Sequence, residues 1–175
     1  SDHTKKIINN IKDKNLKLIK NNQNKGQSYS IHKGILQSSF ETIITLDGDG
    51  QNDPADIPKL LDCFFKNKQI ELIGGIRSKR KDSFIKIFSS KVANLIRARI
   101  LNDGCPDTGC SLKVFNKNIF LLFPYFDGMH RFLPALFQGY GYSCKFINVN
   151  HRKRKYGNSK YGVLNRLFKG IRDII

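Results

Sequence analysis

Asp47, Gly48 and Asp49 follow directly on the apolar run Thr42–Leu46, in the stretch TIITLDGDGQNDPADIP. Two carboxylates two residues apart on an extended chain can point the same way. With no basic neighbour, holding them together is costly unless a cation sits between or beside them. An all-oxygen ligand set suits a hard ion such as Mg²⁺ or Mn²⁺, ordinarily shared with substrate phosphates. Gly48 lets the backbone come close to a ligand. The plainer alternative is a polar turn in which an aspartate caps the next helix. Placement at the end of a buried strand, with Gln51 and Pro54 following, favours the ligand site.

The cations are unevenly spread. The chain carries a formal net charge of +17. Residues 74–100 hold eight basic residues against one acid, and residues 151–175 hold the same. Excess charge gathered into two short segments points to a polyanionic partner: nucleic acid, an anionic membrane surface or phosphorylated substrates. A nucleic-acid module leaves the acidic pair unexplained, because paired acids repel phosphate unless a metal intervenes. The four cysteines lack CxxC spacing, which reads as free thiols in a reducing compartment. No His/Cys constellation resembles a zinc site, and no apolar run approaches the ~20 residues of a membrane-spanning helix.

Elements must place these groups. Thr4 to about Lys14 reads as a helix, Leu16–Lys20 as a short strand and Gly26–Phe40 as a helix with apolar residues at Ile31, Ile35, Leu36 and Phe40. Thr42–Leu46 is β-branched and does not alternate, as a strand covered on both faces should be. A helix opens at Pro54 and Pro58 and runs to about Asn67, followed by a strand at Ile70–Gly75 and a long helix over Ser83–Leu101. Beyond Gly109 come a strand near Ser111–Phe115, a short helix, a helix from about Arg131, a strand near Cys144–Val149 and a last helix from Val163. Alternating helices and strands predict one α/β domain over 1–175 with a mostly parallel sheet. In such sheets ligands bind beyond the carboxyl ends of the strands, where Asp47 and Asp49 fall. Arg131, at a helix start, is placed to meet an anion.

The stretch NKGQSYSIHKGILQSSFETIITLDGDGQNDPADIPKLLD resembles the core of family 2 glycosyltransferases. It is most similar to the polyprenol-phosphate hexosyltransferases, the group around dolichol-phosphate mannose synthase. Their pattern of Asn-x-Gly, then strand and Asp-x-Asp-x-Gln-x-x-Pro-x-x-Ile-Pro, is met by Asn24, Gly26, Asp47, Asp49, Gln51, Pro54, Ile57 and Pro58. GIRSKRKDSF resembles the family's Gly-x-Arg segment, DTGCSLKVF its Asp-x-Gly strand and RKRKYGNSKYG its closing basic loop. Gly50 departs from a leucine common in relatives. The family's opening strands, ending in Pro-x-Tyr-Asn-Glu and Asp-Asp-Gly-Ser, have no counterpart, so the chain is expected to be truncated at its start. Ile175 ends mid-pattern, and the same expectation holds there.

The resemblance implies a GT-A-like nucleotide-sugar-binding fold lacking its first strands. It implies inverting transfer of a hexose from a nucleotide-diphosphate sugar to a polyprenyl phosphate, with Mg²⁺ or Mn²⁺ as cofactor. Asp47, Asp49 and Gln51 would hold the metal against the diphosphate, with Asp49 catalytic, and Asn24, Gly26 and Asp47 would contact the nucleotide. Arg77, Lys91, Arg131, Arg152, Arg154, Ser159 and Lys160 would bind donor or acceptor phosphate. Asp107 falls where relatives acting on hydroxyl acceptors carry a general base. A phosphate acceptor is already anionic near neutral pH and needs guiding more than deprotonation, so Asp107 is either a base or a positioning residue. Residues 163–175 read as a basic amphipathic helix suited to a membrane interface. The location expected is cytoplasmic, peripheral at the cytoplasmic face of a membrane, with an anionic membrane surface as partner and no nucleic acid. A family 2 enzyme with a saccharide or other soluble acceptor is the alternative.

Overall fold

The structure is a computed structural model that describes residues 3–78, 100–101 and 103–153. Lys91, Arg154, Ser159, Lys160, most of the helix expected over Ser83–Leu101 and the helix expected over 163–175 lie outside the described residues.

The described elements are α1 (Thr4–Asn10), α2 (Gly26–Leu36), β1 (Thr42–Thr45), a 3₁₀ turn (Pro54–Asp56), α3 (Ile57–Lys66), β2 (Ile70–Ser78), β3 (Lys113–Asn116), α4 (Lys117–Phe120), α5 (Met129–Gly139) and β4 (Ser143–Asn150). Leu16–Lys20, expected as a strand, joins no ladder. Leu16, Lys17 and Lys20 all stand exposed, so the run presents no buried face for a sheet to cover.

The sheet order is β1-β3-β2-β4. β3 is antiparallel to both β1 and β2, while β2 and β4 are parallel. Three strands therefore run one way, and β3 is inserted against them. Periodicity identifies a strand but carries no direction, so the reversal of β3 was not legible in the apolar pattern. It has a consequence for the site: the amino end of β3 lies at the same edge as the carboxyl ends of β1, β2 and β4.

Both faces of this sheet are covered. Ile43, Leu72 and Phe115 pack with Ile35 of α2, Ile119 and Phe120 of α4, and Leu133 and Phe137 of α5. Val114, Ile73 and Val149 pack on the other face with Leu60 of α3. Adjacent residues of one strand thus serve opposite cores, which is why β1 and β2 lack alternation. Among the described residues no helix is long and apolar enough to cross a membrane.

Candidate active site

Four segments meet at the shared edge: the turn after β1, the end of β2, the loop before β3 and the exit from β4. The turn after β1 is pinned from behind. The Asp47 backbone N–H faces Ser111 Oγ at 3.2 Å and Asn52 Oδ1 at 3.4 Å. Ser111 Oγ donates to Asn52 Oδ1 at 2.7 Å, and Thr45 Oγ1 donates to the Ser111 carbonyl at 2.6 Å. Asn52 is buried. Gln27, in the first turn of α2, donates to Asp47 Oδ1 at 3.2 Å. Asp49 Oδ1 accepts from the Gln51 backbone N–H at 3.0 Å. The bond that Gln51 makes to Asp49 is therefore through its main chain.

Helix capping, the plainer reading of the acids, belongs to Asp53. Its carboxylate accepts from Ala55 N–H at 3.0 Å at the start of the 3₁₀ turn. A Cβ at Gly48 would meet nothing within 4 Å, so no contact inside the protein demands glycine there. The glycine the turn needs is Gly50, at φ 76°, a left-handed conformation that costs other residues. Among the described residues no three His, Cys, Asp or Glu side chains form a metal cage. The two acids the turn does offer, Asp47 and Asp49, are carboxylates, the donor class that suits a hard ion such as Mg²⁺ or Mn²⁺.

Arg77 and Asp107, expected separately as a phosphate ligand and a possible base, are bound to each other. Asp107 Oδ2 accepts from Arg77 Nε at 2.8 Å and from Arg77 backbone N–H at 3.1 Å, and Oδ1 accepts from Arg77 Nη2 at 2.7 Å. The side chains are 14% and 7% exposed. The planar guanidinium fork matches the carboxylate, which gives orientation as well as energy. Gly109 makes room for it: a Cβ there would lie 2.7 Å from Arg77 Nη2. In this arrangement Asp107 positions Arg77.

The exit from β4 folds back onto the acidic turn. Asp56, buried, accepts from Asn150 N–H at 2.6 Å and from Asn150 Nδ2 at 3.3 Å. His151 bridges Asn52, and Arg152 N–H donates to the Gln51 carbonyl at 2.8 Å. Arg152 Nη2 lies 2.5 Å from Asp53 Oδ1. The first arginine of the basic segment is therefore paired with Asp53, with 48% of its side chain still exposed. The Ala55 N–H, and after it the Arg152 guanidinium, hold the Asp53 carboxyl below its ordinary value.

Asn24 and Gly26 shape the start of α2, where Asn24 Oδ1 accepts from Gly26 N–H at 3.0 Å. Two residues on, buried Ser28 clamps α5: its Oγ lies 2.6 Å from His130 Nδ1 and accepts from Gly128 N–H at 2.8 Å. Arg131 sits in the first turn of α5, half-buried. The N–H groups of Met129 and Arg131 bond to the carbonyls of Phe126 and Gly128. With Gly128 on Ser28, three N–H groups at this helix start are spent inside the protein.

Three residues that shape the edge escaped the sequence reading. Ser111 and Asn52 are small polar loop residues with no signature of their own. Lys113 had a signal, a lysine inside the apolar run SLKVF. It is buried, and its Nζ donates to the Cys110 carbonyl. Burial pulls its pKa down. Burial also pushes up the thiols of Cys110 and, to about 12, Cys144. Those two thiols stay protonated near neutral pH and supply no thiolate ligand or nucleophile.

The model of glycosyl transferase family 2 matches residues 1–122. The chain is 35% identical over 163 residues to the dodecaprenyl-phosphate galacturonate synthase of Rhizobium johnstonii, across 91% of this chain and 48% of that protein. It is 30% identical over 178 residues to the undecaprenyl-phosphate 4-deoxy-4-formamido-L-arabinose transferase of Yersinia pestis, across 100% of this chain and 54% of that one. It thus spans about half the length of the curated relatives it matches. Among solved structures, glucosyl-3-phosphoglycerate synthase from Mycobacterium tuberculosis, in complex with Mn²⁺, uridine-diphosphate-glucose and glycerol 3-phosphate, superposes with a TM-score of 0.62 at 15% identity, covering 86% of this chain and 53% of that one. At that identity the likeness carries the fold, which is GT-A-like. The acidic turn after β1 lies inside the matched span, and the chain belongs to glycosyl transferase family 2.

Proposed function

We propose that this chain is part of the catalytic domain of an enzyme that transfers a sugar from a nucleotide-diphosphate donor to a polyprenyl phosphate. The observation that carries this choice of acceptor is the Arg77–Asp107 fork. A hydroxyl acceptor needs a base to take its proton in the transition state. A phosphate monoester, with a second pKa of about 6, is largely ionised near neutral pH. The carboxylate expected at the base position instead orients an arginine through three hydrogen bonds. The relatives named for dodecaprenyl and undecaprenyl phosphate support the same acceptor class.

In this reading the acceptor phosphate attacks the anomeric carbon with inversion, and a nucleoside diphosphate leaves. The chain's task is to align two anions and neutralise the charge that develops on the leaving group. Asp47 and Asp49, with Gln51, would hold a Mg²⁺ or Mn²⁺ ion, which when bound draws off the charge of the leaving diphosphate. Asn52 and Ser111 fix the turn that presents those carboxylates. Arg77, oriented by Asp107, sets a guanidinium at the end of β2. Arg131 and Arg152, together with Lys91, Arg154, Ser159 and Lys160, are proposed to contact phosphate, Arg152 by sharing or leaving Asp53. Asn24 and Gly26 build the start of α2, which reaches Asp47 through Gln27. The basic segments suit an anionic cytoplasmic membrane face, where a polyprenyl phosphate would be presented.

The test offers the intact protein labelled nucleotide sugars with three acceptors: undecaprenyl phosphate, undecaprenol and a free saccharide. Label moving into a lipid that retains its phosphate is expected. Transfer to the alcohol or saccharide, with none to the phosphate, would assign the chain to the soluble-acceptor branch.

A further inference from the structure

Residues 150–152 run back along the acidic turn and are tied to it one after another. Asn150 N–H donates to buried Asp56 at 2.6 Å, His151 bridges Asn52, and Arg152 N–H donates to the Gln51 carbonyl at 2.8 Å. The backbone of Arg152 is thus fixed beside Gln51, whose own N–H bonds to Asp49 Oδ1 at 3.0 Å. From that anchor the guanidinium reaches Asp53, Nη2 to Oδ1 at 2.5 Å. The two partners are held differently. Asp53 is 14% exposed, and the same Oδ1 accepts from Ala55 N–H at 3.0 Å, so its carboxylate is a fixed part of the turn. The Arg152 side chain is 48% exposed, against 14% for Arg77 in its fork. Water competes for a pair this open, which makes it weak. A diphosphate carries more charge than one carboxylate and can meet the guanidinium fork with two oxygens.

We infer that Arg152 and Asp53 form an exchangeable latch, in which Asp53 holds the guanidinium while the site is free, yields it to a diphosphate and reclaims it when the diphosphate leaves. This latch presupposes the metal-and-diphosphate reading proposed above. Asp53 is then an affinity-setting residue that touches neither metal nor substrate. Each diphosphate that takes up Arg152 must first break the pair, which weakens binding by the strength of the pair, about two- to fivefold for a contact this exposed. The same competition favours departure of the nucleoside diphosphate once the sugar has moved.

The test is calorimetric titration of the intact protein with preformed Mn²⁺–pyrophosphate, which presents a diphosphate without a base, across a cycle of Asp53→Asn, Arg152→Gln and the double variant. Asparagine can still cap the Ala55 N–H and loses the charge that holds the arginine. Asp53→Asn is expected to bind the complex about two- to fivefold tighter, a gain that a damaged fold cannot produce. Arg152→Gln should bind it about threefold or more weaker. With Arg152 already replaced, Asp53→Asn should leave the affinity nearly unchanged, because no arginine remains to be released. Should Asp53→Asn not fold, as judged by circular dichroism, Asp53→Ser is the uncharged capping replacement. An equal gain from Asp53→Asn in both backgrounds would be a through-space effect of the lost carboxylate and would overturn the latch. Unchanged affinity in either single variant would overturn it as well. A wild-type protein that does not bind the complex would overturn the metal-and-diphosphate reading itself.

Discussion

Gly109→Ala is predicted to undo the Arg77–Asp107 pair while leaving both residues in place. The added Cβ would lie 2.7 Å from Arg77 Nη2 and 3.7 Å from Asp107 Oδ1, so the terminal nitrogen has to move. The Nη2–Oδ1 bond at 2.7 Å is lost, while the Nε–Oδ2 bond at 2.8 Å can persist. Both side chains are largely shielded, at 14% and 7% exposure, so solvent does not repair the loss. One charge-assisted bond contributes about 1.5–3 kcal/mol. Replacing glycine by alanine returns about 0.4–1 kcal/mol through the unfolded chain. The net expectation is a destabilisation of about 1–2 kcal/mol, measured by urea denaturation. Gly34→Ala is the control: it lies inside α2, its Cβ would meet nothing within 4 Å, and the change should be neutral or stabilising. Asp107→Ala removes the same contact from the other side, so the double variant should be less destabilised than the sum of the singles. Strict additivity, or a Gly109→Ala protein as stable as wild type, would refute the clamp.

Other outcomes follow from the same edge. Asp49→Ala should nearly abolish sugar transfer supported by Mg²⁺ or Mn²⁺ while the unfolding free energy falls by only about 1 kcal/mol, the loss of its bond to the Gln51 N–H; wild-type turnover, or activity indifferent to chelator, would remove the metal role. Ser111→Ala deletes the acceptor for the Asp47 N–H and the donor to Asn52, so turnover should fall by about tenfold or more with only about 1–2 kcal/mol of stability lost. Turnover close to wild type would show that the acidic turn holds its shape without the serine. The carboxyl of Asp53 is held below its ordinary value of 3.8, so its contribution is present at and above that value and fades as pH falls through the lower folded value. The tie between Arg152 and the acidic turn should therefore persist throughout pH 5–8. A pH dependence of stability in that window that Asp53→Asn abolishes would contradict the assignment.

Why some of this was readable and some not comes down to what a side chain must do locally. β1 and β2 are covered on both faces, so their unbroken apolar runs marked them, and the acids at the end of β1 were conspicuous against that background. The start of β4 at Ser143 and the end of α3 at Lys66 fell within a residue or so of expectation, since turn chemistry bounds both. Leu16–Lys20 failed because five apolar and basic residues suffice for a pattern and not for a face. The direction of β3 is a tertiary property with no local signal. The pairing of Arg77 with Asp107 joins positions 30 residues apart, and each motif alone looked like a separate contact to substrate. The pairing of Arg152 with Asp53 was illegible for the same reason, since the two positions lie 99 residues apart.

The central claim is that transfer proceeds without a base because the acceptor is already an anion. The turnover of Asp107→Asn on undecaprenyl phosphate, corrected for folded fraction, tests it most directly. Asparagine keeps the size of the side chain and can accept from Arg77 through one oxygen, but it cannot take a proton. The account predicts kcat within about tenfold of wild type, with the loss following stability. A fall of about 10²–10⁴-fold at unchanged stability, the signature of a lost general base, would contradict it.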